Sequence, residues 1–201
     1  MFLEKLSRIF SVFSFNRIYI VYSNTAVTAP VFTPESMATA GGRMDVVARS
    51  ILYALYDQIE QRGDTLFIGL LNGSPRPPVA LYVWRLSLQS RSELEVGEAI
   101  RRALSGERLD GIEVENGARI TDILETVRKT HRVYLLDESG MHFSHFTFTG
   151  KNAFILGDHI GIPAWIISSI GNMLDGAVSL GKKPYLTSHC IAFLNELMDR
   201  A

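Results

Sequence analysis

The chain has a single cysteine, Cys190, among its 201 residues, so no internal disulfide and no cysteine-based zinc cluster can form. No apolar run approaches the roughly 20 residues of a membrane span. Excess charge is also missing: 20 Lys+Arg against 21 Asp+Glu leave a net charge of −1. That removes a globally basic nucleic-acid binder, though not a local patch. Lysine is scarce, at 5 against 15 arginines, and arginine is the better residue for bidentate phosphate contacts and for stacking on bases. No G-x-G-x-x-G follows a strand-like segment and no G-x-x-x-x-G-K-[ST] occurs, so the Rossmann and P-loop readings lose their main support. Internal repeats and low-complexity tracts are absent as well.

What is present suffices for one large core. With 47% hydrophobic and 20% charged residues, the chain reads as a single globular domain with a short appendage. A chain of this size should expose about 9,400 Å² when folded against roughly 32,000 Å² when extended, burying about 70% of its surface.

The appendage is Met1 to Arg17, where Phe2, Leu3, Leu6, Ile9, Phe10, Val12 and Phe13 alternate with Glu4, Lys5 and Arg8. Ser11, Ser14 and Asn16 interrupt any signal-peptide core, and the spacing predicts a short amphipathic helix. Ile18–Tyr22 then reads as a strand. Thr33-Pro34-Glu35 reads as a short helix start. Met44, Val47, Ile51, Leu55 and Ile59 recur at helical spacing and predict a long helix ending near Arg62-Gly63. Thr65–Leu71 is an apolar run of the kind buried on both faces of a sheet, and Ser74-Pro75-Arg76-Pro77-Pro78 must be an extended connection.

Val79–Trp84 predicts another strand, and Ser92 with Glu95 three residues on is a capping box opening a helix through Leu104. Ile120, Ile123, Leu124 and Val127 mark a further helix. Arg132–Asp137, Ala153–Leu156 and Gly176–Leu180 read as strands, and Pro163–Leu174 and Tyr185–Arg200 as helices. This alternation predicts an α/β protein with a mostly parallel sheet and helices on both faces.

In such sheets ligands sit beyond the carboxyl ends of the strands. Ala153–Leu156 runs into Gly157-Asp158-His159-Ile160-Gly161, and Val178-Ser179-Leu180 runs into Gly181-Lys182-Lys183-Pro184. Glycines there allow positive φ and close backbone approach. Main-chain groups could line a pocket for a flat adenine ring, with Leu136, Leu156 and Leu180 as its apolar walls.

Those residues also carry a resemblance. Gly157-Asp158-His159-Ile160-Gly161, Ser179-Leu180-Gly181 and Ser188-His189-Cys190-Ile191 resemble the C-terminal signature of the archaeal tRNA pseudouridine-54 N1-methyltransferase family, S-adenosylmethionine-dependent enzymes of the SPOUT class. Upstream, Asn24-Thr25-Ala26-Val27-Thr28, Gly42-Arg43-Met44-Asp45 and Pro75-x-Pro77-Pro78 are similar to the family's blocks in the same order. The match spans about residues 18 to 200. It implies a SPOUT-like trefoil-knotted fold for residues 18–201, an architecture rare enough to be excluded by default, with residues 1–17 as an N-terminal extension. It further implies a homodimer, tRNA as substrate, a cytoplasmic location, and neither membrane nor metal. By motif position the S-adenosyl-L-methionine site would comprise Leu136, Gly157, Leu180, Gly181, Lys182, Lys183, Pro184, Tyr185 and Cys190.

The chain departs from the family pattern in three places. Arg91-Ser92-Glu93-Leu94 stands where a Pro-Asp-Glu-Arg segment is usual, the proline of Lys182-Lys183-Pro184 is displaced, and Leu194-Asn195 replaces a frequent His-Asn. Methyl transfer to N1 of pseudouridine requires alignment of donor and acceptor and removal of the N1 proton. Asp45 is the candidate proton acceptor, and Arg43 the candidate for positioning a phosphate or stabilising developing charge. The plainer alternative makes them a helix start, where an acidic residue suits the dipole.

Asp158 reads as a cap for the following turn, His189 as a packed helix residue and Cys190 as a small hydrophobe in the donor pocket. His159 is open between substrate contact and a loop histidine, and Lys182 and Lys183 between a ligand and solvent. His142 and His145, among Phe143, Phe146 and Phe148, fit a partly buried strand better than a metal pair. Arg49, Arg101, Arg102 and Arg108 are candidates for a phosphate-tracking surface, against which Glu93, Glu95 and Glu98 count. Besides the tRNA enzyme, the sequence leaves two alternatives: a SPOUT methyltransferase for another pseudouridine-containing RNA such as rRNA, and a non-catalytic donor- or RNA-binding relative.

Overall fold

The computed structural model describes residues 3–200. In chain order these form α1 (Glu4–Val12), β1 (Arg17–Ser23), α2 (Met44–Leu55), β2 (Thr65–Leu71), β3 (Val79–Val83), α3 (Glu93–Leu104) and β4 (Ile112–Asn116). There follow α4 (Ile120–Val127), β5 (Arg132–His142), β6 (Asn152–Gly157), α5 (Ala164–Ile170), β7 (Gly176–Ser179) and α6 (Thr187–Asp199). The strands make one sheet in the order β4-β3-β2-β1-β6-β5-β7. The pairs β1–β2, β1–β6, β5–β6 and β5–β7 are parallel, whereas β2–β3 and β3–β4 are antiparallel. The sheet is therefore mostly parallel, with an antiparallel flank.

Side-chain alternation sorts the core into two layers. Tyr19 and Val21 of β1, with Phe67, Leu81 and Phe154, face α2, α3 and α6. Ile18 and Ile20, with Leu66, Ile68, Tyr82 and Ile155, face α1, α4 and α5. The predicted strand over Thr65–Leu71 is buried at every position. The molecule exposes 9734 Å², close to the scaling expectation. Helix α1 is amphipathic as its spacing predicts, and Leu3, Leu6 and Ile9 are buried in the second layer. Met1 and Phe2 lie outside the described residues.

Several boundaries differ from the sequence reading. Helix α2 ends at Leu55, not near Gly63, because Asp57 Oδ1 accepts the Ile59 and Glu60 N–H groups and turns the chain. Ile59, which completed the helical spacing, is 85% exposed. Strand β4 was not predicted: Ile112 and Val114 alternate with Glu113 and Glu115, and those acids meet Lys5 and Arg8 of α1 and the Tyr82 hydroxyl. His142 and His145 are exposed, at a strand end and in a 3-10 turn, rather than in a partly buried strand.

Parallel register fixes where a site can lie. The pairs Tyr22↔Gly157, Ser23↔Leu71 and Leu136↔Val178 bring the carboxyl ends of β1, β2, β5, β6 and β7 to one edge of the sheet. The loops at 24–43, 72–78, 158–163 and 180–186 all leave from that edge.

Candidate functional site

A cleft of about 270 Å³ opens at this edge, where the chain leaves β5, β6 and β7. Its walls come from four segments. The turn after β6 supplies Gly157, Asp158 and Gly161, and the loop after β7 supplies Leu180, Gly181, Lys183 and Tyr185. The first turn of α6 supplies Thr187 and Cys190, and β5 supplies Leu136, Asp137 and Glu138. The β5 acids stand where its register against β7 slips, with both Leu136 and Met141 opposite Val178.

The glycine turn is held closed from two sides. A side chain at Gly157 would bring Cβ to 2.7 Å from the Gly161 backbone, so only glycine lets the turn double back. The Thr187 hydroxyl donates to the Gly157 carbonyl at 2.7 Å, tying the turn to α6. Across the cleft, Ser179 Oγ donates to the Gly181 carbonyl at 3.1 Å and accepts from its N–H at 3.2 Å, which shapes the second loop.

Of the sequence-predicted donor residues, Leu136, Gly157, Leu180, Gly181, Lys183, Tyr185 and Cys190 line this one cleft. Lys182 and Pro184 do not; both are exposed where the loop bends at Lys182-Lys183. Asp137, Glu138, Ile162, Ile167 and Thr187 were not anticipated as lining. For the two acids the only sequence signal was their place directly after Leu136.

The cleft suits an adenosine-bearing cation. Leucines 136, 156 and 180 give it apolar walls, and the strand-end glycines Gly157 and Gly181 line it with no side chain between backbone and cleft. Asp137, Glu138 and Asp158 against Lys183 leave an anionic lining. The volume lies near the lower end of the ~300–1,000 Å³ typical of ligand pockets. The Cys190 thiol is pushed up to about 11 by burial, with the Glu138 charge adding. It is protonated at neutral pH and unsuited to nucleophilic attack. Among the described residues no group of three or more His, Cys, Asp or Glu is arranged to hold a metal ion, and no helix is long and apolar enough to cross a membrane.

Arg43 and Asp45 lie at the start of α2 and do not line the cleft. Arg43 has φ 69°, in the left-handed region, which costs a non-glycine residue about 1–3 kcal/mol. From there its guanidinium grips Asp45 in a fork, Nε to Oδ1 and Nη2 to Oδ2, both at 3.0 Å. Burial pushes the Asp45 carboxyl up, but the Arg43 hydrogen bonds and charge, with Arg49, hold it below its ordinary value. The Asp45 hydrogen bonds and charge in turn hold the Arg43 guanidinium above its ordinary value, with the Asp158 charge adding a smaller part. His189 is exposed beside Tyr53, with ring centres 6.3 Å apart, rather than packed.

The expected phosphate-tracking arginines are largely spent. Arg49 is paired bidentately with Glu93, Arg101 with Glu98 and Arg102 with Glu107, so only Arg108 of that set has no carboxylate partner among the described residues. Arg76, outside that set in the loop after β2, is also exposed and has no carboxylate partner among the described residues.

Comparison with known proteins agrees with this geometry. The family described as "Putative SAM-dependent RNA methyltransferase" matches residues 16–201. The tRNA (pseudouridine(54)-N(1))-methyltransferase of Pyrococcus abyssi is 31% identical over 201 residues, covering 92% of this chain and 98% of that protein. Its counterpart in Methanocella arvoryzae is 31% identical over 197 residues, covering 92% and 99%. Among solved structures, Archaeoglobus fulgidus Nep1 bound to S-adenosylhomocysteine superposes with a TM-score of 0.64 at 15% identity, over 94% of this chain and 98% of that one. The SpoU methyltransferase AviRb of Streptomyces viridochromogenes gives 0.52 at 14%, over 97% and 62%. The fold is thus of the SPOUT class, as the resemblance implied. With a family match over nearly its whole length and curated relatives above 30% identity, the chain belongs to the family of S-adenosylmethionine-dependent RNA methyltransferases that includes the archaeal tRNA (pseudouridine(54)-N(1))-methyltransferases.

Proposed function

We propose that this protein methylates N1 of pseudouridine 54 in tRNA, with S-adenosylmethionine held in the cleft between the glycine turn after β6 and the loop after β7. The observation that carries the reading is the convergence of seven motif-derived residues, from Leu136 to Cys190, on one cleft. Residues 18–201 would form the methyltransferase domain and residues 1–17 its extension, and the trefoil knot of the class belongs to the same proposal.

When bound, S-adenosylmethionine supplies an electrophilic methyl group. The chain's own residues hold the acceptor and manage its proton. Asp45, ionised and mostly buried, accepts the N1 proton once Arg43 releases its fork to meet phosphate or the charge developing on the base. Alignment alone can contribute roughly 7–11 kcal/mol of barrier reduction. A second copy of the chain completes the site. Ile160, in the turn after β6, and Trp165 of α5 are 60% and 68% exposed, with Tyr185 and Leu186 also exposed, apolar side chains suited to a homodimer contact. No membrane or metal enters this reading, and it suits the cytoplasm, where tRNA is found.

The test pairs calorimetry with a transfer assay. S-adenosylmethionine should bind with one site per chain. Labelled methyl should then move to T-arm RNA carrying pseudouridine at the target and not to the same RNA carrying uridine. Transfer only to other pseudouridine-containing RNA would overturn the tRNA assignment. Donor binding without transfer to any RNA would overturn catalysis.

A further inference from the structure

Asp158 is a buried carboxylate with no cationic partner closer than His159 Nδ1 at 3.9 Å. A buried anion is costly unless hydrogen bonds replace its water, and here four do. Asn24 N–H and Ser23 Oγ donate to Oδ2 at 2.6 and 3.2 Å, while Asn24 Nδ2 and Ile160 N–H donate to Oδ1 at 2.8 and 2.9 Å. Asn24 Nδ2 also donates to the Gly161 carbonyl at 2.7 Å. One amide therefore pins both ends of the glycine turn that walls the cleft.

The next residue carries the connection onward. Thr25 Oγ1 donates to the Gly42 carbonyl at 2.7 Å, one residue before Arg43. The backbone here leaves no slack: Cβ atoms built at Gly42 and Gly73 would lie 2.0 and 2.2 Å from the Thr25 carbonyl oxygen. Cleft turn, β1 loop and the start of α2 thus share one hydrogen-bonded seam, Gly161–Asn24–Thr25–Gly42, with Asp158 as its fixed anion.

We propose that Asn24, seated on Asp158, and Thr25 are positioning residues that lock the methyl-donor turn to the Arg43–Asp45 arm, so that donor and acceptor sites keep one mutual geometry. The proposal rests on the function given above and adds to it the residues that set the alignment. Neither side chain need touch the reacting atoms; each acts through the segment it holds.

The test uses amide hydrogen exchange of the full-length protein, free and with S-adenosylhomocysteine, for wild type, Asn24→Ala and Thr25→Val. Asn24→Ala removes the Nδ2 bonds to Asp158 and Gly161 but spares the Ser23 hydroxyl and the backbone N–H donors of residues 24 and 160 to Asp158, and Thr25→Val keeps the side-chain shape. In free Asn24→Ala, exchange should rise both at 158–161 and at 25–44; in free Thr25→Val it should rise only at 25–44. Adding S-adenosylhomocysteine should slow both segments in wild type but only the turn in either variant. Methyl transfer should fall about 10- to 100-fold in kcat, with the affinity for S-adenosylhomocysteine by calorimetry within about threefold of wild type.

Unchanged exchange at 25–44 in both free variants would overturn the seam. So would an equal slowing there in variants and wild type on ligand addition. Failure of wild type to bind S-adenosylhomocysteine would instead strike the donor reading, with the free-protein exchange still deciding whether the segments are coupled.

Discussion

At the scale of single residues, the proposed chemistry depends on the arginine–carboxylate fork at the start of α2. Asp45→Asn keeps the size of the side chain and removes its capacity to accept a proton. Methyl transfer should fall by about 10²- to 10⁴-fold while S-adenosylmethionine binding by calorimetry stays unchanged, since Asp45 lies outside the cleft. A loss smaller than tenfold would remove it from the proton-accepting role. In the cleft, Gly157→Ala must push the Gly161 backbone away, and donor affinity should drop at least tenfold in the same titration. The glycine pairs at the strand ends were legible because glycine at such a position has few other uses. Asp137 and Glu138 were not, because their aim depends on a register slip between β5 and β7 that exists only once the two strands pair.

At the scale of elements, α6 is fastened far from the cleft by a buried polar cluster. Asn195 Oδ1 accepts from the Tyr19 hydroxyl at 2.7 Å and from Arg17 Nη1 at 3.0 Å, and its amide donates to the Tyr53 carbonyl. Asn195→Ala strands these groups away from water, and urea denaturation should show a loss of about 1–3 kcal/mol. The seam of α1 is instead sensitive to pH. His131 sits between Thr130 Oγ1 and the Phe15 carbonyl, with Phe10 edge-on to its ring.

Burial holds the His131 imidazole below its ordinary value, the nearby Lys151 charge adds to this, and the Phe15 hydrogen bond opposes it. The unfolded chain therefore takes up a proton near pH 6.5 and the folded one only at lower pH. Stability is complete above that value and declines as pH falls through it. Denaturation midpoints between pH 8 and 5 should fall in wild type and flatten in His131→Gln. The elements themselves were mostly legible, since Ser92 with Glu95 and the run Thr65–Leu71 state their structure locally. The end of α2 and the strand β4 were not: Ile59 mimics a helical position, and Glu113 and Glu115 make sense only opposite α1.

At the scale of the whole molecule, charge pairing decides how RNA can be held. Most arginines are neutralised within the chain, but Arg76, Lys182 and Lys183 have no carboxylate partner among the described residues and leave from the cleft edge of the sheet. With Arg43 released, about four cations per chain would meet phosphate. The logarithm of RNA affinity should then fall against the logarithm of salt with a slope of about −3 per chain. A filter-binding series in potassium chloride measures it, and a slope near zero would exclude this edge as the RNA surface. On the proposed homodimer, Trp165→Glu should give a monomer by sedimentation and abolish methyl transfer; a wild-type protein that sediments as a monomer would remove the second copy from the proposal.

The tethering of α6 has a consequence for the order in which the enzyme comes into being. Arg17 of β1 binds Asn195 and Asp199 of α6, a segment made long after β1, and Tyr185, Thr187 and Cys190 close the cleft from that same stretch of chain. A polypeptide still attached to its ribosome, with that segment enclosed in the exit tunnel, has neither the far wall nor its fastening. Premature termination anywhere before α6 yields a product without a complete cleft, so competence to modify RNA is reserved for chains in which that segment has been made.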